Sequence, residues 1–307
     1  MKWLVGFLVV LAALAGLAWY AVLDGAAPAR AEGEFDLAAY RALVADDAAE
    51  ALPTAINVEF VGVSDAPAFA TEAGAFNGTV RMTYTAFQIA GPGGAVVIDA
   101  ALDEASLGEM TSGKGSFSAD AYRRLLDALA QAAHILITHE HIDHIVALVR
   151  HPEPQSIAPR LRLTAEQLRS MHDNETGGLM PAAMQTVRTH DFAAPQRISP
   201  GVVAHAAPGH TPGTIVVYAR TQAREYLFVG DIAWVMSSIE NARGRPRFIG
   251  WLIPGVDPDR PAVLRQLRAL HDIAAAEPGL VILPAHDEAY LRLRIADGVL
   301  IEGFAVN

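Results

Sequence analysis

Residues 139–144 read His-Glu-His-Ile-Asp-His, four potential metal donors within six positions. On an extended or turning backbone His139 and His141, at i and i+2, point to the same side. Asp143 and His144, at the turn into a following helix, reach a second position a few ångströms away. An open catalytic zinc site takes about three protein ligands. Four donors here, with His210, Asp231 and His286 downstream, exceed one open site and suit two. The chain contains no cysteine, so disulfides and thiolate sites are excluded. Any metal rests on histidine, carboxylate and water.

The chain around this segment alternates short strands with helices. Apolar spacing predicts an amphipathic helix over Phe35–Ala51 and strands over Asn57–Val63 and Thr79–Ile89. The turn Gly91-Pro92-Gly93-Gly94 leads into a buried strand, Ala95–Ile98, that ends at Asp99. A helix capped by Ser118 or Asp120 runs to Ala133. It leads into strand His134–Thr138, the histidine segment, and a helix from about Ile145. Strands over Val202–Ala206 and Thr214–Tyr218 flank Pro208-Gly209-His210-Thr211-Pro212-Gly213. Glu225–Val229 is a buried strand ending at Gly230-Asp231, Pro261–Ala276 a helix, and Leu280–Leu283 a strand closed by Pro284-Ala285-His286-Asp287. His139, His210, Asp231 and His286 therefore each lie just past a short apolar strand or on the loop it opens, where such folds place their chemistry.

Composition narrows the class. With 307 residues, 52% hydrophobic, the chain can bury a substantial core. A net charge of −11 gives no general attraction for nucleic-acid phosphates, so no nucleic-acid partner is expected. From Trp3 to Leu23 every residue is apolar, glycine or tyrosine. That run is long enough to cross a bilayer and longer than a usual signal-peptide core. Ala29-Arg30-Ala31 nevertheless reads as a cleavage site. Residues 1–31 are thus expected to be a membrane anchor with a short tether, or a cleaved signal peptide, and residues 32–307 the folded domain that carries the metal donors. Either places the body outside the cytoplasm, held on the inner membrane facing the periplasm or soluble in the periplasm or medium. Lys2 favours an N-in orientation.

The segment Thr138–His144 resembles the H-x-H-x-D-H signature of the metallo-β-lactamase fold superfamily. Pro208–Gly213 resembles its P-G-H-T-x-G element, Leu227–Asp231 its strand-Gly-Asp element, and Pro284–Asp287 its closing histidine. Four motifs in order, over roughly Ile56 to the carboxyl end, imply an α+β fold, a four-layer αββα sandwich. Carried over, the resemblance implies His139, His141 and His210 on one zinc. It implies Asp143, His144 and His286 on the second, with Asp231 bridging; manganese or iron(II) suits the same donors. Asp99 resembles the family's structural aspartate, orienting a ligand histidine. The implied mechanism uses a hydroxide bridging the two ions, with Asp143 both holding a metal and accepting a proton.

Asp231 sorts the branches of that superfamily. True β-lactamases lack it, whereas hydroxyacylglutathione hydrolases, acyl-homoserine-lactone lactonases, tRNA-processing nucleases, phosphodiesterases and alkylsulfatases keep it. Export disfavours the glutathione and tRNA branches. The expected reaction is hydrolysis of a lactone or other carboxylic ester on a small molecule. A phosphodiester, thioester or β-lactam is the alternative, and a non-catalytic metal-binding module the last. One departure stands against a quorum-signal lactonase, which carries a tyrosine three residues past the aspartate where this chain has Trp234. Residues 234–254, with Met236, Phe248, Trp251, Leu252 and Arg243, Arg245 and Arg247, are read as a pocket wall or a surface hairpin. Asp173–Met184 is read as a lid or an ordinary loop. His134, His151, His172, His190, His205 and His271 are read as structural or surface residues. Oligomeric state is not legible.

Overall fold

The computed structural model describes residues 2–173, 183 and 185–306. Nearly all of the segment Asp173–Met184 thus lies outside the described residues. The body is four layers: helix, sheet, sheet, helix. The first sheet contains β1 (Ala55–Pro67), β2 (Thr79–Ala90), β3 (Val96–Ile98), β4 (Ser116–Phe117), β5 (His134–Leu136) and β11 (Ile301–Glu302). Its strands run β11-β1-β2-β3-β5, with β4 paired to β1. β1, β2 and β3 are antiparallel, whereas β3–β5 and β1–β11 are parallel. The second sheet runs β10-β9-β8-β7-β6, from β6 (Gln196–Ser199), β7 (Val202–Ala206), β8 (Ile215–Arg220), β9 (Glu225–Gly230) and β10 (Leu280–Pro284). Only β9–β10 is parallel there.

Alternation of side chains across each strand explains the layering. Ile56, Val58, Phe87, Ile89, Ile98 and Leu136 of the first sheet meet Val202, Ala204, Ile215, Val217 and Phe228 of the second. Phe87 and Phe228 interlock edge-to-face at 5.1 Å. Each of the larger side chains among them contributes about 1.5–3 kcal/mol by its burial. The opposite faces carry Val97 and Ile135 against Leu125 and Leu129 of the Ala119–Gln131 helix, and Val216 and Leu227 against Val263, Leu267 and Leu270 of the Arg260–Ala276 helix.

Three local expectations change. The first helix covers Leu37–Leu43, not Phe35–Ala51. Asp36 caps it, and the Asp47 carboxylate accepts from Arg197 and Gly201 N instead of extending the helix. The helix after the histidine segment starts at Ile142, three residues early, because His141 is the extended residue before it; Asp143 and His144 stand in its first turn. The tether is in part docked. Residues Lys2–Leu23 form a helix that widens into a π-turn over Trp19–Leu23, apolar and long enough to cross a membrane, with nearly all of it exposed. Directly after it, Gly25 O accepts from Gly244 N at 2.8 Å, Ala27 N donates to Ala242 O at 2.9 Å, and Asp24 pairs with Arg247 at 2.7 Å.

Candidate metal centre

The seven donors named from the sequence converge at one end of the two sheets. His139 and His141 leave β5, His210 sits on the β7–β8 loop, Asp231 follows β9, and His286 follows β10. They fall into two groups. His139, His141, His210 and Asp231 offer ligand atoms within 4.8 Å of one another, as do Asp143, His144 and His286. In the first group His141 Nδ1 lies 3.0 Å from both His139 Nε2 and His210 Nε2. In the second, His144 Nε2 and His286 Nε2 are 3.4 Å apart and His286 Nε2 is 3.5 Å from Asp143 Oδ2. Ligands about 2.0–2.1 Å from a tetrahedral ion stand roughly 3.3 Å apart, so both groups have the spacing of a coordination shell.

Asp231 joins the groups. Its Oδ2 faces His139 at 3.7 Å and His210 at 3.5 Å, while Oδ1 faces His144 at 3.3 Å and His286 at 3.0 Å. Oδ1 is buried and has no hydrogen-bond partner. An orphaned, buried carboxylate oxygen among imidazole nitrogens is the arrangement a cation satisfies. The donor set therefore fits metal.

The partners on the far side of each ring fix where its free lone pair points. Asp99 accepts from His144 Nδ1 at 3.0 Å and from Thr138 N at 2.7 Å. Thr83 O accepts from His286 Nδ1 at 2.7 Å, and Asp257 Oδ1 from His210 Nδ1 at 2.8 Å. In all three rings Nε2 is left facing the site. Asp257 is itself held by Arg245, which is 2% exposed. The Arg245 guanidinium lies 4.7 Å from the Trp234 ring centroid, and Trp234 Nε1 donates to Asp231 Oδ2 at 2.6 Å.

Electrostatics separate the two groups. Burial pushes His139 well below the ordinary histidine value and His141 down to about 4. Burial also opposes charge on His144 and His286, but Asp99, Asp143 and Asp231 outweigh it at His144 and Asp231 does so at His286, so both rise. Burial would raise Asp231, yet His286, His139 and His144 hold it well below the carboxylate range. Asp257, likewise buried, is held low by Arg245 and His210.

Several positioning residues carried no sequence signal. Glu140 accepts from Thr211 Oγ1 at 2.8 Å and Gly213 N at 3.0 Å, tying the loop of His139 to that of His210. A Cβ at Gly213 would meet Glu140 Oε2 at 2.4 Å, so a larger residue there would push the carboxylate off these two bonds. Gly230, at φ +50°, leaves no room for a Cβ against Thr138 at 2.7 Å. Asp257 and Arg245 sit in a segment whose Pro254-Gly255 and Asp257-Pro258 pairs read only as turns. The surface-hairpin reading of residues 234–254 is overturned. Helices Met236–Glu240 and Arg247–Leu252 occupy it, and its arginines make internal contacts: Arg243 with Ala73 O, Arg245 with Asp257, Arg247 with Asp24. Outside the site, His205 pairs with Tyr40, His151 accepts from Glu153 N, and His271 contacts Ile239 O.

Beside the donors opens a cavity of about 960 Å³, lined chiefly by apolar groups: Ala66, Met82, Tyr84, Met110, Ile142, Trp234, Ile249, Ile253 and Val256 among them. Among the described residues lining it, Lys114 is the one lysine or arginine.

The family profile of the metallo-beta-lactamase superfamily matches residues 80–286. No curated protein sequence matches the chain. Among solved structures, an N-acyl homoserine lactone hydrolase with N-hexanoyl-L-homoserine bound at its catalytic metal centre is similar. It has a TM-score of 0.56 and 13% identity, covering 79% of this chain and 96% of that one. A probable metal-dependent hydrolase from Staphylococcus aureus has a TM-score of 0.57 and 14% identity, covering 77% and 91%. AidC, a dizinc quorum-quenching lactonase in complex with a product, has a TM-score of 0.50 and 14% identity, covering 75% and 86%. At such identities the likeness is one of fold.

Proposed function

The chain belongs to the metallo-beta-lactamase superfamily, and on that premise we propose that it is a binuclear metal-dependent hydrolase of lactones or other carboxylic esters. The observation that carries the reading is Asp231, with one carboxylate oxygen toward each donor group. His139, His141 and His210 would hold one ion, Asp143, His144 and His286 the other, with Asp231 between them; zinc suits these donors. When bound, such ions supply a strong nucleophile from water at neutral pH and polarise the scissile carbonyl.

The chain's own residues supply the rest. Asp99, Thr83 and Asp257 hold the imidazoles in the tautomer that leaves Nε2 facing inward. Asp143, in the first turn of its helix and bordering the cavity, is the group to accept a proton as substrate water is consumed. The apolar cavity receives the acyl portion. Its single lysine supports an uncharged ester over a phosphodiester, whose recognition calls for several cations. The lactonases of the same fold support the same choice.

We further propose that Lys2–Leu23 is a retained anchor, with the body outside the cytoplasm. Cleavage at Ala29-Arg30-Ala31 would remove Asp24 from Arg247 and Arg260, and Gly25 and Ala27 from the 242–244 backbone.

Elemental analysis of the purified protein tests the metal reading: about two equivalents per chain are expected. A single equivalent that persists under excess zinc overturns it. His141→Ala should abolish hydrolysis across a panel of lactones, aryl esters, thioesters, bis-p-nitrophenyl phosphate and β-lactams while leaving the circular dichroism spectrum unchanged. The panel member turned over best identifies the bond.

A further inference from the structure

The wall of the cavity and the end of the apolar helix are one structure. Helix Arg247–Leu252 packs on the π-turn that closes the N-terminal helix: the Tyr20 and Trp251 rings are 6.5 Å apart, and the Arg247 guanidinium lies 4.3 Å from the Tyr20 ring centroid. Backbone and ion-pair contacts lock that junction. Arg247 and Arg260 hold Asp24 by its carboxylate and its carbonyl, and Arg243 reaches Leu23 O at 3.4 Å. Gly25 is fitted so tightly that a Cβ there would meet Ala73 Cβ at 2.4 Å. The helix end therefore has a fixed place on the body.

From that junction the chain runs straight to the metal donors. Ile249 and Ile253 line the cavity, followed by Pro254, Gly255 and Val256, and a Cβ on Gly255 would lie 3.4 Å from His141 Nε2. The outward side of the same segment is bare and apolar. Trp251 is 60% exposed, Leu252 71% and Ile253 47%, beside Trp19 at 55% and Tyr20 at 43%. Large exposed apolar groups in a contiguous patch mark an interaction surface. Tryptophan and tyrosine at the end of an apolar span are the residues that settle at a bilayer's headgroup level.

Resting on the anchor and ester readings above, we propose that Trp251, Leu252 and Ile253 form a lip seated in the same leaflet the helix enters. The cavity then opens at the bilayer surface, and the substrate is a membrane-partitioned amphiphile, an ester or lactone whose acyl chain slides from the leaflet along Ile253 and Ile249 toward the donors. The occupant is lipid because the patch is continuous with the span candidate, which fixes its depth. The chain's net charge of −11 argues that apolar seating, not attraction to anionic headgroups, holds it there.

The absence of cysteine makes the test direct. Single cysteines at Leu252, Leu8 and Ala223, the last exposed on the β8–β9 turn at the opposite end of β9 from Asp231, are labelled with an environment-sensitive fluorophore. The full chain is reconstituted in phosphatidylcholine vesicles carrying spin-labelled lipid. The Leu8→Cys and Leu252→Cys labels should be quenched, the latter at about 5–10 Å depth, and Ala223→Cys should not. Leu252→Cys behaving like Ala223→Cys while Leu8→Cys is quenched overturns the lip and leaves the anchor standing; three unquenched labels remove the anchor as well. In the second arm, p-nitrophenyl dodecanoate at fixed bulk concentration is diluted with phosphatidylcholine. The rate should fall in proportion to its mole fraction in the membrane, and a rate that ignores dilution overturns entry from the leaflet. Failure to hydrolyse both this ester and soluble p-nitrophenyl acetate would instead strike the ester reading on which the proposal rests.

Discussion

Trp234 donates its indole N–H to Oδ2 of Asp231 at 2.6 Å, so the one polar atom of that ring is engaged by the carboxylate between the two donor groups. The donor is thus spent internally, while the ring face carries Arg245. Trp234→Phe keeps an aromatic face, on a smaller ring, and removes the donor. We expect metal retention to weaken about 10–100-fold, the usual effect of losing a partner behind a ligand, measured by chelator competition. An unchanged metal affinity with a raised KM would instead place the indole against substrate.

Asp257 extends the same network to His210. Its backbone is left-handed, at φ +53°, a conformation asparagine tolerates, so Asp257→Asn changes charge without adding strain. The variant leaves the Arg245 guanidinium, 2% exposed, without its carboxylate. Breaking one side of a buried pair costs about 3–5 kcal/mol. We expect Tm to fall by about 10 °C, with the deficit persisting in chelator, which separates it from lost metal. A fall confined to the metal-loaded protein would show that Asp257 acts only through His210.

How much of this was legible in the sequence follows from how local each signal is. The hexamer His139–His144, His210, Asp231 and His286 announce themselves because each combines a donor with the end of an apolar strand, and strands with period-2 burial are readable in sequence. Asp99 was legible for the same reason. Glu140, Arg245 and Asp257 were not, since each acts across 12 or more residues of chain: Arg245 on Asp257, Glu140 on Gly213, Asp257 on His210. Nothing in a turn such as Pro-Gly-Val-Asp-Pro says which imidazole its aspartate will meet. The arginines at 243, 245 and 247 misled for a related reason. Their alternation suggests a solvated strand, whereas Asp24, Ala73 and Asp257, distant in sequence, draw them inward.

Away from the site, Arg41 on the Leu37–Leu43 helix binds Glu225 at the start of β9 at 2.6 Å and Glu277 at 3.0 Å. Burial would raise the Glu225 carboxyl, but Arg41 and the Tyr218 hydroxyl outweigh it and lower it. A lowered folded value means that the stabilisation is complete above the ordinary 4.5 and lost as pH falls through the folded value. The pair is partly exposed, so its worth is about 1 kcal/mol. Arg41→Met should lower Tm by about 2–4 °C at pH 7, with the gap narrowing as the pH falls below the ordinary 4.5. A gap that does not narrow in acid would assign the loss to packing of the arginine stem.

With the Trp234 indole committed to Asp231, any side-chain donor to the carbonyl of the proposed ester would come from elsewhere on the cavity wall. Tyr84 lines that wall, edge-on to His286 at 5.6 Å, with its hydroxyl 3.0 Å from Ser64 Oγ. Burial pushes its phenol up to about 12, against the hydrogen bond shared with Ser64 and reinforced by Asp143 and Asp231, so it stays protonated throughout the neutral range. Tyr84→Phe removes only the hydroxyl. If that hydroxyl stabilises charge developing on the carbonyl oxygen, kcat should drop about 10²-fold with KM and metal content nearly unchanged. A loss confined to KM would make Tyr84 a binding contact, and an unaltered kcat/KM would leave its hydroxyl to Ser64 alone.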